Sequence, residues 1–572
     1  MTQDLSRLLR PQSIAVFGSG WAENVIAQCD KIAFDGDVWP IHPTRQDIGG
    51  RPCFRSLADL PGPPDATFIG VNRDATIDIV RDLSAMGAGG AICFASGWAE
   101  TGDDDLQATL VDAAGDMPIL GPNCYGLLNM LDGVVIWPDQ HGARACDTGV
   151  AILSQSSNIA INLTMQTRGL PVAYVACVGN AAQTSMVDLA AALLSDPRVT
   201  ALGIYAEGFA DAGTLARIAQ DARKRGKGVV ALKSGQSAGG IAAAASHTAV
   251  LSGTHAASQA FLRQAGIGSV RTPAELIETL KILHVHGPLT GRRVCALCCS
   301  GGEAGLVADL ADGGALEFAP LNPAQESALG DILGPAITLS NPLDYQTFIW
   351  GDLEKTAAVF TEMLRPYDAG LYLIDPPRSD LCDPTSFEPA LQAIAMAAQA
   401  TGKPAFPTAS MPENIDEARA RAMIAAGMAP LNGIETALAA ITAASPPAVT
   451  AWQPWPAHVA GDTITLDEAE GKALLRTLGL TTPKGVTTDH AVDLAKVGHD
   501  LTPPFAVKGL GFAHKTEANA VRLGLHDLTS FTPMPDATGY LVEEMVQDVV
   551  AELIVGLQRD PVYGATLMIG FG

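Results

Sequence analysis

One local pattern recurs along the chain: a short apolar run of strand length that stops at glycine, serine or asparagine. Ser13-Ile14-Ala15-Val16-Phe17 stops at Gly18-Ser19-Gly20. The runs Asp65 to Val71 and Gly90 to Phe94 follow, and then Met117-Pro118-Ile119-Leu120 stops at Gly121-Pro122-Asn123. Helix-like stretches lie between them, and strands alternating with helices read as βαβ units on a parallel sheet. The pattern restarts at Gly149-Val150-Ala151-Ile152-Leu153, which runs into Ser154-Gln155-Ser156-Ser157. Gly203-Ile204-Tyr205-Ala206 then meets Glu207-Gly208, and Gly228 to Leu232 meets Lys233-Ser234-Gly235. It restarts again at Arg293 to Cys299, before Ser300-Gly301-Gly302. Three successive α/β modules are expected, 1–140, 141–287 and 288–444. Ligands are expected at the strand ends, where open α/β sheets hold them.

The rest of the chain differs. A proline-rich linker spans 445–457. Beyond it, 458–572 opens with a helix at Leu466-Asp467-Glu468-Ala469-Glu470 and continues in strand-like segments. The last residues, Leu567 to Gly572, read as a strand entering a glycine turn, so a missing C-terminal part is expected. With 48% hydrophobic and 17% charged residues a folded protein is expected. Its 58 Gly and 37 Pro against 5% aromatics favour tight turns over a sandwich with an aromatic core. The net charge, 36 − 61 = −25, disfavours nucleic acid as a partner. No apolar run approaches the roughly 20 residues of a membrane span, and no secretory signal is visible at the N-terminus. Ten cysteines are scattered, several inside strand-like runs, which fits reduced thiols in the cytoplasm.

Gly18-Ser19-Gly20 after a strand can admit a phosphate to a helix N-terminus, or can be a plain tight turn. It lacks the third glycine of the dinucleotide fingerprint, and Ile41-His42-Pro43-Thr44 lacks the acid that would favour NAD. Cys295, Cys298 and Cys299 have a metal-like spacing but no second pair, so they read as structural. His247 lies among small residues, Ala244-Ala245-Ser246-His247-Thr248-Ala249. Small neighbours leave room for a group on the ring, and a neutral imidazole can accept a phosphoryl group. A core histidine is the alternative.

Taken together, these segments resemble the nucleoside-diphosphate-forming acyl-CoA synthetases, the superfamily of succinyl-CoA synthetase and ADP-forming acetyl-CoA synthetase. The similarity spans essentially the whole chain, in the order CoA-binding domain, two ligase domains, ATP-grasp module. It is carried by Gly97-Trp98-Ala99-Glu100-Thr101-Gly102, Gly121-Pro122-Asn123-Cys124-Tyr125-Gly126, Gly179-Asn180, Tyr205-Ala206-Glu207-Gly208, Ser246-His247-Thr248 and Asn341-Pro342-Leu343-Asp344. Val507-Lys508, His514-Lys515-Thr516-Glu517, Val542-Glu543-Glu544-Met545 and Glu552 to Gly556 with Arg559-Asp560-Pro561 carry the last part. Departures from the family pattern include Trp21 to Val25 after the first glycine turn, His42 before Pro43, Ser157, Ala249 and Asn519.

The resemblance implies a fold and a chemistry. The fold is a Rossmann-like CoA-binding domain, two flavodoxin-like ligase domains and a partial ATP-grasp domain. The reaction joins a carboxylic acid to CoA with ATP, giving acyl-CoA, ADP and phosphate through acyl phosphate and phosphohistidine. His247 would carry the phosphoryl group, with Glu207 fixing its ring. Gly18, Ser19, Gly20, Pro43, Thr44, Ser96 and Gly97 would bind CoA. Pro122, Asn123, Ser154, Gln155, Ser156 and Ser157 would form the phosphate and acyl site, and Cys124 would only pack. Lys508, His514, Lys515, Glu543, Glu544, Met545 and Glu552 would bind ATP, with Mg²⁺ ligands expected beyond residue 572. The run Gly239 to Ala245 would swing His247 between its sites. A cytoplasmic homodimer is expected, with the acid left open. The alternative is an acyl-CoA sensor, or a relative of protein acetyltransferases with a degenerate synthetase part.

Overall fold

Three sheets, each built on five parallel strands in the same order, carry the first 444 residues. The computed structural model describes residues 3–237, 239–240, 254–447, 464–512, 518–560 and 562–571. It divides into two compact units, Met1–Pro454 with Arg559–Gly564, and Trp455–Gln558 with Ala565–Gly572. His247, His514, Lys515, the segment 241–245 and most of the expected linker lie outside the described residues.

The first sheet is built from Ser13–Phe17, Asp37–Ile41, Ala66–Ile69, Ala91–Cys93 and Ile119–Leu120. Counted in chain order, its strands lie 2-1-3-4-5, all parallel. The second uses Gly149–Ser154, Val172–Cys177, Val199–Ala206, Gly228–Lys233 and Gly268–Val270 in the same order. The third uses Val294–Cys298, Leu343–Asp344, Ala369–Leu373, Ala405–Ala409 and Leu431–Asn432, again 2-1-3-4-5. Helices cover both faces of such a sheet, so its strands read as unbroken apolar runs, as Val150–Leu153 do. In this doubly wound order the first and third strands are paired neighbours, the connections leaving them run to opposite sides, and a crevice opens beyond their carboxyl ends. The α/β class expected from the sequence is the one found.

Two details bear on the expected organisation. The boundary expected at 140 follows a hairpin that pairs with the second sheet. Leu127–Asn129 and Val134–Ile136 form a hairpin that joins the edge of the second sheet, Leu127, Leu128 and Asn129 lying antiparallel to Ala176, Val175 and Tyr174. The first glycine turn is also explained without a ligand. Gly18 has φ +121°, and a Cβ there would lie 2.7 Å from the Gly70 carbonyl oxygen, so the neighbouring strand end demands glycine.

Charged seams tie the modules together. Glu278 and Lys281, both fully buried on the helix Pro273–His286, pair at 2.7 Å. Arg168 donates to Glu278 Oε1 at 2.9 Å, and the Asn432 amide N–H of the third sheet donates to Oε2 at 3.1 Å. Near the N-terminus, Asp196 accepts from Arg10 at 2.6 Å and from Arg198 at 3.0 Å. Burial of Asp196 opposes its ionisation, but the two guanidiniums prevail and hold its pKa at about 2.

The second unit has a four-stranded antiparallel sheet, ordered Gly485–Thr488, Gly539–Glu544, Phe505–Leu510, Val521–Leu525. The helix Glu468–Thr477 precedes it. Asp467 caps this helix and Glu470 reaches back to the Asp467 N–H, a reciprocal pair that satisfies two free donors.

Candidate functional site

The crevices of the first two sheets are one cleft, of about 830 Å³. From the first sheet come Gly70, Val71, Asn72 and Arg73 beyond the third strand, and Phe94, Ala95 and Ser96 beyond the fourth. From the second come Gln155 to Asn158 beyond the first strand, Gly179 and Asn180 beyond the second, and Glu207 beyond the third. Asn123 and Tyr125 line it between the two modules.

Glu207 is set by its neighbours. Gln155 leaves its strand with its amide N–H on the Tyr205 carbonyl at 3.1 Å. Its side-chain oxygen accepts from the backbone N–H groups of Glu207 and Gly208, and its Nε2 donates to the Gly208 carbonyl at 3.1 Å. One glutamine therefore fixes the loop that presents Glu207. The carboxylate oxygen Oε2 is buried and, among the described residues, has no hydrogen-bond partner. A buried acceptor left in that state costs on the order of 1–3 kcal/mol, more when charged. Such an oxygen at the cleft is poised to accept from a donor that arrives there.

The adjacent turn opens the helix Ser157–Thr164. Ser156 is its N-cap and accepts from the Ile159 N–H at 3.4 Å. Free N–H groups at such an end, with the helix dipole, favour an anion. Ser154 behaves otherwise. It is fully buried, donates to the Ser156 carbonyl at 2.6 Å and accepts from the Ser156 N–H at 3.1 Å. Its hydroxyl shapes the turn and does not line the cleft, unlike Gln155, Ser156 and Ser157.

The two modules meet along Gly121-Pro122-Asn123 and Gly179-Asn180. The Asn180 N–H donates to the Pro122 carbonyl at 2.9 Å, and the Asn123 N–H to the Ala95 carbonyl at 2.9 Å. Asn123 holds φ +57°, a left-handed conformation that asparagine tolerates better than most residues. Gly179 has φ +52°, and a Cβ there would fall 2.2 Å from the Pro122 oxygen. Glu100 spans the seam: it accepts from the Gly97 N–H at 2.5 Å, the Trp98 N–H at 3.1 Å and the Asn180 side-chain amide. Cys124 is fully buried, its thiol on the Cys177 carbonyl at 2.9 Å, and burial pushes its pKa well up, away from a reactive thiolate.

Of the residues expected to bind CoA, Ser96 lines this cleft. Gly18, Ser19 and Gly20 follow the first strand, and Pro43 and Thr44 follow the second, both at the carboxyl edge of the same sheet. Thr44 and Arg45 donate backbone N–H groups to His42 Nδ1 at 3.2 and 3.0 Å. Gly97 instead serves the Glu100 clasp. Trp21, Asn72, Arg73, Phe94, Tyr125 and Asn180 also line the cleft and were not assigned to the site from the sequence. Asn72 and Arg73 stand just past a strand end, the very signal that picked out the other loops. The aromatic residues carried no comparable local signal.

In the second unit, Lys508 and Lys472 share two carboxylates. Lys472 pairs with Glu543 at 2.5 Å and Glu468 at 2.8 Å, and Lys508 pairs with Glu543 at 3.1 Å and also with Glu468. The Glu543 side chain thus faces the lysines. The Met545 N–H donates to the Pro504 carbonyl at 2.9 Å, Glu544 accepts from the Thr502 N–H at 3.0 Å, and Glu552 is exposed.

Comparison with known proteins gives this arrangement its family. Residues 12–130 match a CoA binding domain, 147–283 a succinyl-CoA ligase like flavodoxin domain, and 458–572 an ATP-grasp domain. A trans-feruloyl-CoA synthase from an unknown prokaryotic organism is 27% identical, over 100% of this chain and 86% of its own length. The ADP-forming acetate–CoA ligase I of Archaeoglobus fulgidus is 25% identical, over 99% and 86%. A dinucleotide-forming acetyl-coenzyme A synthetase from Ca. Korarchaeum cryptofilum, solved with phosphate and ADP, has TM-score 0.66 at 25% identity, over 77% of this chain and 96% of that one. With three characteristic domains in series and relatives aligned along its whole length, the chain belongs to the nucleoside-diphosphate-forming acyl-CoA synthetases, in their fused single-chain form.

Proposed function

We propose that the protein is an ADP-forming acyl-CoA synthetase, joining a small carboxylic acid to CoA at the expense of ATP. A carboxylate is a poor electrophile, and its oxide a poor leaving group. Activation as acyl phosphate makes attack by the CoA thiol feasible, and a histidine can ferry the phosphoryl group from nucleotide to acid. The observation that carries this reading is the buried Oε2 of Glu207, without a partner among the described residues, at a cleft shared by a CoA-binding module and a ligase module. In this reading His247, outside the described residues, would supply the ring N–H that this oxygen accepts. The pairing fixes the tautomer and stabilises the imidazolium, leaving the other nitrogen to attack.

The remaining assignments follow the same logic. Ser156 and Ser157 at their helix N-terminus cradle the phosphoryl oxygens, and Asn123 lies beside the acyl carbonyl. CoA lies along the carboxyl edge of the first sheet, past Gly18 to Gly20, Pro43, Thr44, Ser96 and Gly97. In the second unit, Lys508 exchanges a carboxylate partner for nucleotide phosphate beside the Glu543–Met545 strand end, and His514 and Lys515 are assigned to the same nucleotide. Mg²⁺ is expected with the nucleotide. Among the described residues no group of three or more His, Cys, Asp or Glu is placed to hold a metal, and no step here is routed through one.

The test is intact-mass spectrometry after incubation with ATP, together with thioester formation from a panel of acids. Wild type should gain one phosphoryl group and release ADP in step with thioester. His247→Ala should do neither while still binding CoA. Glu207→Gln should lose roughly 10²–10⁴-fold in turnover, the range of a general acid–base contribution. A phosphoryl adduct that persists in His247→Ala would refute the assignment.

A further inference from the structure

The cleft has a second wall, and it is aromatic. Trp21, Phe94 and Tyr125 all line it. Trp21 lies 4.9 Å from Phe94, and Phe94 lies 5.5 Å from Tyr125, centroid to centroid, at interplanar angles of 48° and 46°. Buried rings support them from behind: Phe68 stands 5.7 Å from Phe94, and Trp137 stands 5.6 Å from Tyr125. The three rings are therefore held as a shelf. Trp21 at its outer end remains 44% exposed. A chain with 5% aromatic residues has gathered five of them into one contiguous row at the mouth and back of its functional cleft.

From this wall we infer that the acid is planar and conjugated, an aryl or arylalkenyl carboxylic acid, and that Trp21 and Phe94 are residues that determine the choice. The inference rests on the synthetase reading above. The cleft is polar where Asn123, Ser156 and Glu207 contribute, which suits a carboxylate and its phosphorylated form. It is apolar where the rings contribute. Tilted rings present both faces and edges, and a conjugated ring packs against them with a specific gain beyond the area it buries. A two-carbon acid has no surface to offer such a wall. The pantetheine arm of CoA has no ring either, so the wall gives little to CoA itself unless the adenine lies there.

Isothermal calorimetry on the full chain distinguishes these cases, with CoA, acetyl-CoA and cinnamoyl-CoA as probes. Cinnamoyl-CoA should bind about tenfold more tightly than acetyl-CoA, the ratio set by one stacked ring plus its buried area. Trp21→Ala should reduce that ratio to about twofold, any loss of affinity for CoA alone being smaller than the loss for cinnamoyl-CoA, and Trp21→Phe should restore most of it. Equal affinity for the two thioesters in the wild type overturns the inference and leaves the synthetase reading standing. So does a Trp21→Ala protein that loses affinity for all three probes by the same factor, because the wall then holds the nucleotide end of CoA. Failure of every probe to bind the wild type removes the synthetase reading, and the inference with it.

Discussion

Removing the Glu100 carboxylate should loosen the seam on which the cleft is built. In Glu100→Ala the Gly97 and Trp98 N–H groups and the Asn180 side-chain amide lose their acceptor together. A hydrogen bond to a charged group is worth about 1.5–3 kcal/mol, so three set an upper bound of about 4.5–9 kcal/mol. Glu100 is only partly buried, and water can reach the vacated donors, so about 2–3 kcal/mol is the expected net loss. Burial opposes ionisation of Glu100, but its donors win and keep its pKa below the ordinary carboxylate value. The contribution is therefore full above the unfolded-state pKa and fades as pH falls through the folded one. The Asn180 side-chain amide keeps only its bond to Gln107 at 2.9 Å, and a displacement of about 1 Å at a reacting centre costs about 10²-fold. Thermal unfolding and steady-state thioester synthesis should both be measured at neutral pH. A lowered midpoint together with a kcat/KM reduced about 10- to 100-fold is expected. A protein with wild-type midpoint and kcat/KM within twofold would show that Glu100 does not hold the seam.

Three further outcomes are open to direct measurement. Gly179→Ala forces a side chain into a left-handed conformation and against the Pro122 oxygen, so it should destabilise the first unit by at least about 2 kcal/mol, seen as a lowered melting midpoint, and weaken CoA binding. Glu278→Gln leaves Lys281 buried without its anion and should cost about 3–5 kcal/mol, whereas the double variant with Lys281→Met should cost less than the sum of the singles in a denaturant double-mutant cycle. Asp196, with its pKa held at about 2, binds fewer protons folded than unfolded between about pH 4 and pH 2. Stability should fall through that window as pH drops, by about 2 kcal/mol in all, and Asp196→Asn should flatten that part of the acid-unfolding curve.

The strand ends were legible because one rule applies at every one of them: an apolar run buried on both faces must end where the backbone turns, and the turn carries Gly, Ser or Asn. That rule marked the turns at Gly121–Asn123 and Ser154–Ser157, and applied again past Ile69 it points to Asn72, whereas the roles of Ser96, Asn123, Ser156 and Glu207 came from the family resemblance. Nothing local says that the Ser154 hydroxyl is spent inside its own turn. The hairpin at 127–136 reads as one more apolar segment until its pairing to Val172–Cys177 is seen. The shelf of Trp21, Phe94 and Tyr125 was hidden for the same reason. Its members stand about 70 and 30 residues apart in the sequence, and only the sheet order 2-1-3-4-5 brings their strand ends together.

A cleft shared by two modules also makes its occupant part of the masonry. A molecule lying against Ser96 on one side and Ser156 or Glu207 on the other is mortar between two bricks, and its binding free energy acts directly against their separation. Occupancy should slow amide exchange along the Pro122–Asn180 joint more than within either sheet. A chain cut in the exposed stretch near Arg144 and Asp147 should yield pieces that hold together longer in the presence of thioester than without it.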